Sequence, residues 1–220
     1  RELTQIQSML QNQVSSIGDH MFKEGAIVVP GHVHVHNKID YLKISNPITN
    51  ITEYVGESMV LGTSTFKVIH VEAATDTDPV TLFGNYVSGN VFADTSVISN
   101  GTITATVDST GHGSLVSVDE GIYYIKKNFV IVKSATIVLS KYTSDVSFDV
   151  GLRVQEEVIS AGSDISLTDN ALGTPNESAP GAHRYSITTE LIKRTVNETI
   201  GDFILLTRLE SGKIVKHARE

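Results

Sequence analysis

The sequence predicts a mainly β protein, with short strands in sandwich or small-barrel domains behind a single N-terminal α-helix. Three observations lead there. From Phe22 onward, short segments rich in Val, Ile, Thr, Phe and Tyr follow one another, bounded by Gly, Asn, Asp, Ser and Pro. Only the first segment carries the three-and-four apolar spacing of a helix. The 220 residues are 40% hydrophobic, enough to fill one large core or two small ones.

The helix is predicted over residues 1–20, where Leu3, Ile6, Leu10, Val14 and Ile17 fall on one stripe that ends near Gly18. Leu3, Ile6, Leu10 and Ile17 also occupy coiled-coil core positions, with Gln13 as a polar interruption. The segment therefore reads equally as an oligomerisation coil or as a helix docked on its own domain.

A β-rich domain over 21–143 comes next, through YLKIS, EYVGESMVL, TFKVIHVEA, VTLFGNYV, TITATV, SLVSV, GIYYIKKNFVIV and ATIVLSKY. The dense run of strands yields to KYTSDVS between Ser140 and Ser147, which marks a boundary. A second β-rich region over 144–220 contains FDVGLRVQEEVI, RYSITTELIKR, FILLTRL and GKIVKHA. Within it, residues 161–184 show no periodicity and are dense in turn formers, an irregular length that compact domains rarely carry without a function.

Seventeen basic against 25 acidic residues give a net charge of −8 with no basic cluster, which disfavours a nucleic-acid or anionic-membrane surface. Cysteine is absent, so disulfides, thiolate metal sites and cysteine nucleophiles are excluded. No apolar run reaches the roughly 18 residues of a membrane span, and the N-terminus lacks signal-peptide layout. A chain that opens at Arg1 without a methionine is read as part of something longer.

The search for chemistry returns little. No Gly-x-Ser-x-Gly elbow is present, and GHGSLV, from Gly111 to Val116, is read as a turn between strands because it lacks the third glycine of a dinucleotide fingerprint. Asp76, Asp78, Asp164 and Asp169 lie in turns without calcium-loop spacing, and are read as bonding their own backbone. Asp119 and Glu120, like Glu156 and Glu157, are adjacent, so they point to opposite strand faces. PGHVHVHN places His32, His34 and His36 on one face of a strand with Val33 and Val35 on the other. Same-face neighbours stand about 6–7 Å apart, so two could reach one metal ion, and a closed site needs ligands from elsewhere. The preferred reading is a wet face over inward valines.

GDHMFKEGAIVVPG, GIYYIKKNFVIV, SFDVGLRVQEEVIS and above all SLTDNALGTPNESAPGAHRYSITTELIKR resemble a family of virion structural proteins of large tailed phages, itself catalogued as a domain of unknown function. The most specific string, D-N-A-x-G-x-x-N-x-x-A-P-G-A-x-R, is matched by Asp169, Asn170, Ala171, Gly173, Asn176, Ala179, Pro180, Gly181, Ala182 and Arg184. The resemblance implies the N-terminal, particle-proximal part of a baseplate or tail-fibre protein, assembled in the host cytoplasm and resident in the virion. It also implies a distal portion beyond Glu220, and brings no catalytic residues and no cofactor.

The expected function is attachment of fibre and baseplate components by protein–protein contacts, by a homo-oligomer with a trimer favoured, without nucleic-acid binding or membrane insertion. The expected contact residues are Leu3, Ile6, Leu10, Ile17, Asp169, Asn170, Asn176, Pro180, Gly181 and Arg184, with His32, His34 and His36 as a minority metal site. The alternative is a carbohydrate-binding β-sandwich of a receptor-binding tail protein, against which stand 6% aromatic residues and no Trp. A polysaccharide-degrading tailspike would need repeats, which the chain lacks.

Overall fold

The computed structural model describes all residues except 1, 174, 176, 182, 200 and 218–220, and no side chain of residues 2–4. The protein is mainly β, with one N-terminal helix, α1, over Glu2–Met21. The strands that follow are β1 (Ile27–Val29), β2 (Val33–Ser45), β3 (Ser58–Leu61), β4 (Ser64–Glu72), β5 (Val80–Ser88), β6 (Val97–Ser99) and β7 (Thr104–Val118). Then come β8 (Gly121–Ile125), β9 (Asn128–Val132), β10 (Ala135–Ser140), β11 (Phe148–Ile159), β12 (Arg184–Thr195), β13 (Phe203–Glu210) and β14 (Lys213–His217).

One sheet runs β10-β7-β2-β5-β4-β3-β6, and β6 pairs back onto β7, so six of its strands close a small antiparallel barrel. Closure rests on Val60 opposite Ser99 and on Ile98 opposite Ala105. Leu42, Ile44, Met59, Phe66, Val68, Leu82, Ile98 and Val107 fill the interior, each at most 1% exposed. Tyr54, on a short 3-10 turn over Ile51–Tyr54, adds its ring to the same cluster and donates from its hydroxyl to the Thr104 carbonyl at 3.2 Å.

The remaining strands form a β1-β8-β9 sheet and a β12-β11-β13-β14 sheet. Their inner faces share a core in which Tyr123, Ile125 and Val132, joined by Val118 from the end of β7, meet Leu152, Val154 and Leu206. A neighbouring cluster joins Val116 and Leu139 to Val150 and Leu209. Strand β7 has 15 residues, or about 50 Å at the usual rise per residue, so its two ends serve different cores. Residues 141–147 link β10 of the seven-stranded sheet to β11 of the four-stranded sheet, and the core residues of the two pack together across that link.

Several local expectations are corrected. TITATV and SLVSV are one continuous strand, so GHGSLV is strand interior rather than a turn. Its glycines mark close approach instead: a Cβ on Gly111 would lie 2.6 Å from the Tyr41 hydroxyl, and one on Gly113 would lie 2.6 Å from the Lys141 carbonyl oxygen. GIYYIKKNFVIV is a hairpin, with Lys126 and Lys127 at φ 50° and 64°, a turn normally given to Gly or Asn. The helix continues through Gly18 to Met21, because that glycine accommodates the Tyr124 ring rather than capping the helix.

Candidate functional site: a helix, a hairpin and a loop

Helix α1 touches the β body through its C-terminal half, at the β8–β9 hairpin. A Cβ at Gly18 would sit 2.4 Å from the Tyr124 ring, so the helix lies directly on that ring. The Tyr124 hydroxyl donates to Asp19 Oδ1 at 2.8 Å and lies 3.2 Å from the Ser15 carbonyl oxygen. Lys127 Nζ reaches the same carboxylate at 3.3 Å. Burial, with the Asp19 carboxylate beside it, pushes the Tyr124 phenol up to about 12, while the phenol's hydrogen bond and then Lys127 lower the Asp19 carboxyl. Phe22 and Phe129 complete an aromatic cluster, their ring centroids 5.8 Å apart and edge to face.

Above this anchor a groove of about 730 Å³ opens between helix and hairpin, walled by Leu10 and Val14 on one side and by Phe129 and Tyr185 on the other. Its floor is polar. Tyr185 donates to Glu156, and Lys126 Nζ stands 3.2 Å from Glu156 and 3.0 Å from Asp202. Tyr185 follows Arg184 at the start of β12, where it pairs with Val158 of β11. The strand pair that carries the long loop therefore also builds the groove wall.

The expected contact residues of the helix are at the surface: Ile6, Leu10 and Ile17 are 53%, 56% and 60% exposed. The Leu3 side chain lies outside the described residues. Met9, Val14 and Met21, which the heptad reading left out, are also exposed.

The described ends of the loop are tied together by its own backbone. Leu167 N–H donates to the Asp164 carbonyl at 3.0 Å, Asp169 N–H to the Ala179 carbonyl at 2.8 Å, and Gly181 N–H to the Leu167 carbonyl at 2.8 Å. Thr168 and Pro180 form a β-bridge that closes its base. A Cβ on Gly181 would stand 2.2 Å from the Leu167 oxygen, which accounts for a glycine there. The Asp164 carboxylate accepts from Ser166 N–H and the Asp169 carboxylate from Ala171 N–H, each at 2.9 Å, so both work as turn carboxylates. Asn170 is exposed, Arg184 pairs with Ile159 at the start of β12, and Asn176 lies outside the described residues. Ile165 and Leu172, absent from the expected set, are each 84% exposed.

The histidine run sits elsewhere, at the start of β2. His34 Nε2 lies 2.9 Å from Asp119 Oδ2, and the His32 and His34 rings are 6.1 Å apart. Val33 and Val35 turn inward to the shared cores. His36 is half-buried, and burial first, then the neighbouring His34, lowers its pKa. Among the described residues, no three His, Asp or Glu side chains gather as a cation site. Asp78, expected as a turn carboxylate, instead bridges Lys43 at 2.9 Å and Lys141 at 3.4 Å and accepts from Tyr142.

The chain belongs to the family described as a domain of unknown function, DUF4815, whose model matches residues 86–220. That span covers the β8–β9 hairpin, the long loop and the four-stranded C-terminal sheet, and leaves out α1, β1 and barrel strands β2, β3 and β4. No curated protein and no solved structure matches the chain. No helix among the described residues is long and apolar enough to cross a membrane.

Proposed function

We propose that the protein is a structural part of a tailed-phage virion, the particle-proximal portion of a baseplate or tail-fibre protein, and that it works by binding other virion proteins rather than by catalysis. The resemblance of residues 166–194 and three other stretches to phage virion proteins supplies the biological setting. The observation that carries the mode of action is the loop: closed by its own hydrogen bonds, it holds Ile165 and Leu172 out to solvent. A base already closed in this way lowers the ordering cost of docking, so more of the apolar contact goes into affinity.

The test is incorporation. Particles assembled with an Ile165→Ser, Leu172→Ser chain should lack it when analysed by mass spectrometry, although the variant folds with wild-type circular dichroism. Wild-type occupancy by that variant would remove the loop from the contact. Absence of the unaltered chain from purified particles would overturn the virion reading itself.

A further inference from the structure

We infer that α1 is a self-association seam, and that its occupant is the same helix of further copies of this chain, packed in parallel. The inference does not rest on the virion reading.

The direction of each side chain follows from about 100° of turn per residue. Gln11, Ser15 and Gly18, which meet the hairpin, fall within roughly 60° of one another. Ile6, Leu10, Val14, Ile17 and Met21 fall within roughly 80°, on a stripe about 110° around the helix from that anchor. The body therefore covers one face and leaves the apolar stripe bare, with Ile6, Leu10, Ile17 and Met21 all more than half exposed. A 20-residue helix held only near one end is marginal in water unless an apolar face is packed.

The charge pattern selects a second copy as the occupant. Residues 3–18 contain no Asp, Glu, Lys or Arg, so copies of a chain with net charge −8 meet here without like-charge opposition. The polar face, built of Gln, Ser and Asn, lacks the Lys and Arg of a helix that lies on lipid. The area then says what else must join the seam. A helix about 30 Å long and about 10 Å across offers a strip of roughly 300 Å², short of the roughly 800 Å² per partner of a stable interface. Parallel packing sets the bodies side by side and adds the groove walls at Phe129 and Tyr185, which antiparallel packing would hold apart.

The stripe also fits a second period beside the heptad. Leu3, Ile6, Leu10 and then Val14, Ile17, Met21 repeat with gaps of three, four and four, an 11-residue period without interruption, and Gln13 lies outside the stripe. That period gives a straight or right-handed bundle rather than a left-handed coil.

Light scattering on the purified chain should give an integer multiple of 23.8 kDa, and an Ile6→Glu, Ile17→Glu variant should give 23.8 kDa with the strand circular dichroism kept. Val14→Gln should raise the assembly midpoint concentration by about tenfold or more, while Gln13→Ala leaves it within about twofold. A wild-type monomer overturns the seam, whether free or floating with phosphatidylcholine vesicles, and leaves the loop test above untouched. An oligomer that persists in the double variant overturns it too, and equal effects at positions 13 and 14 overturn the 11-residue register.

Discussion

Arg208 holds the buried carboxylate of Asp149 with two near-parallel hydrogen bonds, Nε to Oδ1 at 2.6 Å and Nη2 to Oδ2 at 2.9 Å. Arg194 adds two longer contacts to Oδ2, from Nε at 3.4 Å and from Nη2 at 3.3 Å, and stacks on Phe203. Asp149 is fully buried on the central strand of the C-terminal sheet, so the two arginines clamp β11 to both of its neighbours, β12 and β13.

Replacing that carboxylate by an amide removes the charge that pairs two buried-facing cations and turns an NH2 donor toward a guanidinium donor. Asp149→Asn should lower unfolding free energy by about 3 kcal/mol at pH 7, read from urea denaturation. Arg208's hydrogen bonds, opposed by burial, hold the Asp149 carboxyl below the ordinary range. A depressed carboxyl stabilises above its unfolded pKa, near 3.9, and that contribution is lost as pH falls through the folded value. The gap between wild type and variant should therefore be full at neutral pH and shrink in strong acid.

Asp78 makes the same kind of tie near the barrel. Its carboxyl is lowered to about 2, first by the Tyr142 hydroxyl and then by Lys43. Its contribution should persist below the ordinary carboxylate range and vanish as pH drops through about 2. In a carboxyl-carbon NMR titration, Tyr142→Phe should move the midpoint upward while Lys43 and Lys141 keep it below 3.8. An unmoved midpoint would remove the hydroxyl as the leading cause.

Gly113→Ala tests why the middle of β7 is glycine-rich. The new methyl would meet two backbone carbonyls, of Ser140 and Lys141, and backbone cannot swing aside as a side chain does. A loss of about 1–3 kcal/mol is expected, visible as a lower melting temperature. Gly101→Ala should cost less, since nothing lies within 4 Å of its Cβ position; its φ of 95° supplies the only penalty.

These glycines also show where sequence reasoning stopped. Apolar alternation made the β class and the inward valines of PGHVHVHN legible, and three-and-four spacing made the helix so. The length of β7 was not, because Gly111 and Gly113 are punctuation in sequence and close-packing devices in space. The Lys126–Lys127 turn was equally silent, since tertiary contacts at Asp19, Glu156 and Asp202 hold two lysines in a conformation their type disfavours. The groove drew on Leu10, Phe129 and Tyr185, residues far apart in sequence, and only Leu10 stood in a pattern.

His36 supplies a pH dependence of the opposite origin to Asp149. It is half-buried beside His34, and its lowered pKa means that the folded chain takes up that proton less readily than the unfolded chain. Between the unfolded value, near 6.5, and the lower folded value, the unfolded state binds more protons, so stability rises with pH across that window. His36→Gln removes this slope. Urea midpoints at pH 5.5 and 7.5 should differ less in the variant than in the wild type, and an equal difference would assign the acid sensitivity to other groups. Burial is the larger cause, so His34→Gln should raise the His36 pKa, followed by its imidazole NMR signals, yet leave it below 6.5.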